Sequence, residues 1–259
     1  MAGNAIAKVF CIFVVNNTSI FAMQFLRYAL LFLVTLSVQA QVQQEEVKVE
    51  TDSLAPVADP KYREDQFYAS ITYNLMQGQP KGYSQYSFST GLSAGFLRDM
   101  PVNKRRNHSI AAGLGYSYNN IKHNLIVTET SEGVVYNTQG SSTFDKNKLV
   151  LHYVELPVEF RWRNSDSISH QFWRIYAGVK VSYLFYDKAQ YEPKEGATVK
   201  VTSDPNMNKF LLGTYLSAGY NTWNFYAYYG ITPIYNNVTV NDKKLAMHSL
   251  KLGLIFYIL

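Results

Sequence analysis

Cysteine and charge are both scarce in this chain, and each shortage excludes a class of protein. Cys11 is the only cysteine among 259 residues, which excludes a disulfide-rich scaffold and a zinc site built from several thiolates. Charged residues make up 17% of the chain, against roughly 25% in an average soluble domain, so a disordered chain and a Lys/Glu-rich coiled coil are both disfavoured. The formal net charge of +5 is too small to indicate a nucleic-acid partner.

The apolar run near the N-terminus is too short to span a membrane as a helix. It covers residues 28–36, follows Arg27 and precedes the small-residue sequence Val38-Gln39-Ala40. A basic residue, an apolar core and a small-residue cleavage site are typical of a secretory signal peptide, whereas a transmembrane helix needs ~20 residues. We predict that residues 1–40 are a signal peptide, with Met23 as the true start and residues 1–22 as a mis-called start. Residues 41–65 would then form a short, flexible periplasmic tail.

Aromatic residues are abundant, and they recur with a period of two. Tyr (21), Phe (15) and Trp (3) together make up 15% of the chain. From Gln66 onward, apolar or aromatic residues alternate with small or polar ones, which predicts β-strands and not helices. Each alternating segment has about the ~9–11 residues that a tilted strand needs to cross a bilayer. Eight such segments lie at 67–75, 86–96, 110–119, 150–163, 175–185, 210–220, 223–232 and 249–258.

Two kinds of eight-stranded barrel alternate in this way, and the composition of the less apolar face distinguishes them. A soluble barrel of the lipocalin type points apolar side chains inward and places polar ones in water. Here the less apolar face is mostly Gly, Ser and Tyr with a few charges, which suits the narrow, filled interior of a membrane barrel, while the aromatic face suits lipid. We predict an all-β protein, an eight-stranded antiparallel up-and-down transmembrane β-barrel formed by residues 66–259.

The connections between the predicted strands alternate between long and short, as they do in outer-membrane barrels. Because both of the longest connections fall on one side, that side is predicted to be the outside, with the N- and C-termini in the periplasm. The long loops are either binding surfaces or merely solvated, and we expect solvated side chains for His123, His170 and His248. The predicted outer loops are 77–85, 122–148, 187–208 and 236–244, and the predicted inner turns are 99–107, 164–171 and 221–222.

A denser set of motifs occupies the predicted fourth to seventh strands and the C-terminus. They are Tyr153-Val-Glu-Leu-Pro-Val-Glu-Phe-Arg-Trp-Arg163, Phe172-Trp-Arg-Ile-Tyr176, Ala218-Gly-Tyr-Asn-Thr-Trp-Asn-Phe-Tyr-Ala-Tyr-Tyr-Gly230 and Gly253-Leu-Ile-Phe-Tyr-Ile-Leu259. Across residues 66–259 the chain resembles the PorT family, outer-membrane barrels of the type IX secretion system that are called SprT in gliding bacteria. The final Leu259 departs from outer-membrane barrels in general, where a terminal aromatic residue is common. The motif positions are Glu155, Pro157, Trp162, Arg163, Trp173, Arg174, Asn221 and Trp223.

The resemblance implies a function in protein export. It implies the outer membrane of a Gram-negative bacterium, contact with its lipid and with other secretion-system proteins, and a requirement for exporting proteins with C-terminal sorting domains. Gliding motility would depend on it where the organism glides. No catalysis, cofactor, metal or small-molecule substrate is expected.

Barrel width narrows this function further. The interior of an eight-stranded barrel is just wide enough for side chains to fill, so we expect an accessory, assembly or docking protein and not the conduit. The alternatives are an outer-membrane lipid-modifying enzyme and a small pore or adhesin.

Charged residues at inward positions are candidates for a structural network. Glu155 and Glu159 lie four residues apart on one face of a strand, a separation of roughly 13 Å. Paired glycosidase carboxylates are only ~5–9.5 Å apart, so we expect an interior ion network with Arg161, Lys180 and Lys251 that stabilises the barrel. Glu159→Ala should then lower its stability.

Overall fold

The computed structural model describes residues 65–103, 105–140, 143–164, 173–236, 238–240 and 243–258. The predicted signal peptide, the predicted tail up to residue 64 and His170 lie outside these ranges. Within them, most of the chain is β-strand. No helix of the described residues is long and apolar enough to cross a membrane.

Among the described residues, eight long strands form the wall of a barrel, and five short strands belong to connections. The long strands are β1 (Gln66–Gln77), β2 (Thr90–Pro101), β3 (His108–Lys122), β6 (Phe144–Arg163), β7 (Trp173–Pro193), β9 (Phe210–Tyr220), β10 (Trp223–Gly230) and β13 (His248–Ile258). The short strands are β4 (Leu125–Thr130), β5 (Gly133–Thr138), β8 (Val199–Thr202), β11 (Thr239–Val240) and β12 (Lys243–Lys244).

Each long strand pairs antiparallel with the long strands before and after it in the chain. The barrel closes where β1 pairs with β13, from Phe67 opposite Ile258 to Gln77 opposite His248. Closure leaves no open edge in the wall, so its backbone groups are paired without water, as a chain in hydrocarbon requires. The predicted eight-stranded antiparallel up-and-down barrel is confirmed.

Side chains alternate between the outer surface and the interior, on the faces predicted from the sequence. On β10, Phe225 is 77% exposed whereas the next residue, Tyr226, is 5% exposed. On β6, Leu156 is exposed and its neighbour Glu155 is buried. Apolar surface of this extent is unfavourable in water but matches the apolar band of a membrane barrel.

Two strands extend well beyond their predicted ends. β6 begins at Phe144 and β7 ends at Pro193, so the prediction of outer loops over 122–148 and 187–208 was wrong at residues 144–148 and 187–193, which belong to wall strands. The rest of these segments contains the β4–β5 hairpin and β8, which pairs with β7. The strands continue because their inner face stays buried beyond the lipid-facing band, as Leu149 shows.

The second strand begins later than the alternation suggested, at Thr90 instead of Tyr86. Tyr86 belongs to the preceding connection, where its hydroxyl donates to the Asn147 carbonyl oxygen at 2.6 Å and accepts from the Asn147 amide at 2.7 Å. Period two continues through both residues, so the pattern alone could not place the end of the strand.

The longer connections pack together into an apolar cluster, which we call the cap. The end of the barrel that carries it is the cap end, and the opposite end, where β2–β3, β6–β7 and β9–β10 are joined, is the turn end. The buried members of the cap are Met76, Tyr83, Ile121, Leu125, Leu149, Leu151, Tyr153, Leu184, Met207, Leu211, Ile234, Tyr235, Val238, Val240, Leu245 and Met247.

His123 lies inside the cap, so the prediction of a solvated side chain there was wrong. Its ring stacks on Tyr83 with 5.5 Å between the centroids, and its Nδ1 lies 3.1 Å from the Leu125 amide, which donates to it. His248 is half-buried, with its Nδ1 3.0 Å from the Gly230 carbonyl oxygen. A histidine can therefore help to fold a connection that its sequence position alone marks as open to solvent.

Acidification should loosen the cap. Burial lowers the pKa of His123 from 6.5 to about 4, because the charged ring would be removed from water. Above pH 6.5 the ring is neutral in both states. Below it the unfolded cap takes up a proton that the folded cap does not, so stability falls with pH until about pH 4. We expect the free energy of unfolding of the cap to fall by about 1 kcal/mol between pH 7.5 and 5.5. Thermal unfolding followed by near-ultraviolet circular dichroism, to which the cap tyrosines contribute, measures the change.

The control for this prediction replaces the His123 ring with a side chain that still accepts a hydrogen bond from the Leu125 amide. His123→Asn offers an amide oxygen to the Leu125 amide and carries no titratable group, so its cap should lose most of the pH dependence. His248→Asn should keep it. Equal pH dependence in the wild type and in His123→Asn would contradict the prediction.

Candidate functional site

Tyrosines and small residues fill the interior of the barrel. A Cβ added to Gly213 would lie 2.3 Å from the Tyr228 hydroxyl oxygen, so the glycine makes room for the ring opposite. Cavities of about 20 and 10 Å³ remain, room for single water molecules. The apolar and aromatic members of the interior cluster are Tyr68, Leu97, Ala111, Tyr176, Tyr215, Tyr226, Tyr228, Ile255 and Tyr257.

A buried ionic group lies at the turn end of this interior. Asp99 accepts hydrogen bonds from Arg161 Nη1 at 3.1 Å and from Arg163 Nη2 at 2.9 Å, and the Ser109 hydroxyl donates to it at 2.6 Å. Arg161 Nε donates to Glu159 Oε1 at 2.7 Å. These four charged side chains have no exposed surface, and such burial is tolerable only where every charge is partnered.

Asp99, which joins the two arginines, was missed by the sequence reasoning. The prediction ended the second strand at Phe96 and placed Asp99 in the turn 99–107, but β2 continues to Pro101. The alternation that buries Leu97 also points Asp99 inward two residues later. Extending the alternation three residues beyond Phe96 would have placed Asp99 on the inner face.

A second buried ion pair connects to this group through a tyrosine. Lys180 Nζ donates to Glu155 Oε2 at 2.7 Å and to the Tyr226 hydroxyl at 3.2 Å. It also lies 5.3 Å from the centre of the Tyr215 ring, whose hydroxyl donates to Glu159 Oε2 at 2.9 Å. The Tyr215 side chain therefore connects the pair to the turn-end group, by a cation–ring contact with Lys180 and a hydrogen bond to Glu159.

Lys251 differs from the other four residues predicted for the interior network. Its Nζ lies 5.1 Å from the centre of the Tyr228 ring and 5.9 Å from that of Tyr153. A cation over aromatic faces is held by the ring quadrupoles. The structure thus places Glu155, Lys180 and the Glu159–Arg161 pair in direct polar contacts, and Lys251 among rings.

The tryptophans of the motif gather on the outer surface of the turn end. Trp173 is 58% exposed and Trp223 is 66% exposed. Trp162 lies opposite Ile175 on β7 and opposite His108 on β3. Because their indoles combine an apolar body with one donor, such residues suit a membrane–water interface or a protein contact.

Three other motif residues pack in the barrel or form a turn. Arg174 is buried, with its guanidinium 5.6 Å from the centre of the Tyr257 ring. Asn221 opens the two-residue turn between β9 and β10 with φ of 54°, a left-handed conformation that Asn tolerates better than most residues. Pro157 is buried on β6 opposite Lys180.

The charged side chains of this arrangement are buried and paired with one another. Among the described residues there is no group of three or more His, Cys, Asp or Glu side chains placed to hold a metal ion. Within the barrel interior, the buried carboxylates Asp99, Glu155 and Glu159 each bond to a cation. Such a set of partnered charges fixes the shape of the barrel wall around it.

Residues 39–236 match the family model described as "Outer membrane protein beta-barrel domain". The chain belongs to this family. It is an outer-membrane protein whose transmembrane part is the barrel described above, and the last strand, β13, lies beyond the matched residues. No curated protein matches the chain.

Solved structures of outer-membrane barrels are also similar to the chain. The attachment invasion locus protein Ail of Yersinia pestis is 13% identical, with 74% of this chain and 97% of that chain covered and a TM-score of 0.31. The same protein in complex with the heparin analogue sucrose octasulfate is 14% identical, with coverages of 75% and 99% and a TM-score of 0.35. A porin variant of Rhodopseudomonas blastica is 8% identical, with coverages of 76% and 100% and a TM-score of 0.19.

Proposed function

We propose that this barrel is an accessory or docking component of type IX protein secretion in a Gram-negative outer membrane, and not the conduit. It would be required for exporting proteins with C-terminal sorting domains, and for gliding where the organism glides. The filled interior is the observation that supports the second half of the proposal, namely that the barrel is not the conduit. The resemblance of residues 66–259 to the PorT family supports the first half.

Among the described residues, the side chains of the interior leave no passage for a protein. Arg161, Arg163 and Tyr176 cross it with no exposed surface, and its cavities of about 20 and 10 Å³ are the size of single waters. A folded domain of 100 residues has a radius of gyration of about 13 Å. Export would therefore have to use another protein, to which this barrel docks.

The turn end is the surface that we propose for docking, and we place it in the periplasm together with both termini. Trp173 and Trp223 expose large side chains there, at positions of the family motif. Aromatic residues of this kind are common anchors of protein interfaces.

Gene deletion and crosslinking test the secretory function. Deletion of the gene should leave proteins with C-terminal sorting domains in the periplasm. Normal arrival of these proteins at the cell surface would contradict the proposal. A photo-crosslinking amino acid at position 173 or 223 should yield adducts that mass spectrometry identifies as secretion-system proteins. The matched control is position 216, where Leu216 is exposed in the middle of β9, and it should crosslink to lipid alone.

A small pore, an adhesin and a lipid-modifying enzyme would use the same barrel differently. A pore needs an open lumen, so we expect the purified barrel to give no steady single-channel current in planar bilayers. The measurement should include a porin as a positive control. Regular conductance steps from the wild-type protein would show an open lumen and contradict the docking proposal.

A further inference from the structure

Four lysines form a cluster on the outer surface of three adjacent strands near the cap end. Lys122 of β3 lies directly opposite Lys148 of β6. Lys188 of β7 lies opposite the residue two positions from Lys148, and Lys146 is two positions from Lys148 on the other side. We call these residues the lysine cluster.

The sequence places Lys188 on the outer surface through a β-bulge. His152 pairs with Tyr186 and Tyr153 pairs with Leu184, which leaves Phe185 as an extra residue. On the turn-end side of the bulge the odd-numbered residues of β7 point outward, and on the cap-end side the even-numbered residues do. Lys188 would face inward without this shift, because an extra residue reverses the alternation.

The cluster lies just beyond the lipid-facing band. On β6 the outward residues run from Trp162 to His152, ten residues that rise about 25 Å along the barrel axis at the usual tilt, which is the height of the apolar band in outer-membrane barrels. Lys148 lies four residues further, about 10 Å higher, at the level of lipid headgroups.

An aromatic patch lies at the edge of the apolar band that is nearest the lysines. The His152 ring is within 5.2–6.0 Å of its neighbours by ring centroid, and the Tyr116 hydroxyl lies 2.6 Å from its Nδ1. Aromatic residues of this kind sit at the membrane–water interface. The patch consists of Tyr116, Tyr118, His152, Phe185 and Tyr186.

The lysines repel one another in the free protein. Like charges directly opposite on neighbouring strands are destabilising, and Lys122 faces Lys148 in this way. Burial lowers the pKa of Lys148, and the charges of Lys146 and Lys188 lower it further. Glu192 offsets one charge by pairing with Lys146 at 3.5 Å. Three positive charges remain in excess, which favours a multivalent anion.

We propose that the lysine cluster binds the phosphate groups of a phosphorylated glycolipid in the outer leaflet, with its sugars against the aromatic patch. The proposal goes beyond the docking function and shares with it only the orientation of the barrel. Headgroup height selects a lipid over a soluble anion, because the register of β3, β6 and β7 places the lysines just beyond the apolar band. The adjacent rings select a sugar-bearing headgroup, since sugars pack on aromatic faces.

The test compares two matched triple variants in neutral detergent by native mass spectrometry. The cluster variant is Lys122→Gln, Lys148→Gln and Lys188→Gln. The control variant is Lys81→Gln, Lys194→Gln and Lys244→Gln, which removes the same charge from exposed positions elsewhere. The probes are a bisphosphorylated disaccharide glycolipid, its dephosphorylated form and phosphatidylglycerol.

The wild type and the control variant should bind the bisphosphorylated glycolipid at least tenfold more tightly than the cluster variant does. Removing the phosphates should cost the wild type a similar factor. Equal affinity of the two triple variants would overturn the proposal. Phosphatidylglycerol bound as tightly as the glycolipid would also overturn it, because the surface would then attract any anionic lipid.

Folding is checked independently of binding. Without lipid, the cluster variant should unfold at a temperature at least as high as the wild type, since the repulsion between Lys122 and Lys148 is gone. If the triple variant fails to fold, Lys148→Gln alone should weaken glycolipid binding about threefold. An unchanged affinity in that single variant would overturn the proposal as well.

Discussion

Asp99→Ala should lower the free energy of unfolding by about 3–5 kcal/mol, the usual cost of leaving a buried charge without its partner. Asp99 accepts from both Arg161 and Arg163, so its loss affects two guanidinium groups that have no access to water. Urea unfolding of the refolded barrel in micelles, followed by tryptophan fluorescence, measures the change. Trp162, Trp173 and Trp223 all report from the turn end.

Two variants separate the ionic effect from a general loss of packing. Asp145→Ala removes an exposed carboxylate from β6 and should change stability little. Combining Asp99→Ala with Arg163→Met should recover part of the loss, because one of the stranded charges is removed too. Glu159→Ala should lower the free energy of unfolding less than Asp99→Ala does, since Arg161 would still be paired with Asp99. Wild-type stability in Asp99→Ala would refute the assignment of these charges to a stabilising group.

Gly253→Ala should prevent or severely weaken closure of the barrel, at a cost of about 3 kcal/mol or more. Gly253 lies opposite Thr72 where β13 meets β1. A Cβ there would lie 2.0 Å from the Ile71 carbonyl oxygen and 2.7 Å from the Thr72 Cα. Both atoms belong to the backbone, so the strands themselves would have to separate, which exceeds the ~1–3 kcal/mol of ordinary overpacking.

The measurement is the fraction of protein that refolds to the heat-modifiable form on gel electrophoresis. Gly230→Ala is the matched control, because its nearest neighbour would be the Ser249 amide nitrogen at 3.4 Å, an ordinary contact distance. Equal refolding of Gly253→Ala and Gly230→Ala would show that the seam has more room than the structure gives it.

The docking function that we propose is consistent with these features. The buried charges lie in the lumen, which is the observation behind the proposal that the barrel is not a channel. In the proposed function, contact with other proteins uses the outer surface, and Trp173 and Trp223 at the turn end are motif positions that are also exposed. The cap end presents a different chemistry, with lysines above an aromatic patch.

The sequence by itself determined the number of wall strands and which face of each meets lipid. Both follow from a local property, since side chains alternate on a strand whatever it pairs with. Phe225 and Tyr226 could therefore be placed on opposite faces without knowing their neighbours. Glu155, Glu159, Arg161, Lys180 and Lys251 could be placed on the inner face for the same reason.

Partners, strand ends and the cap were decided only by the tertiary structure. Asp99 meets Arg161 across 62 positions of sequence, and no local pattern names a partner that far away. The bulge at Phe185 reverses the alternation through a single extra residue, so period two continued past residue 185 would have placed Lys188, which was predicted to lie in a loop, on the inner face. His123 looked solvated because it lies in a connection, and it is buried because segments from the whole chain pack over it. These features depend on contacts between distant strands, which become defined only when the barrel closes.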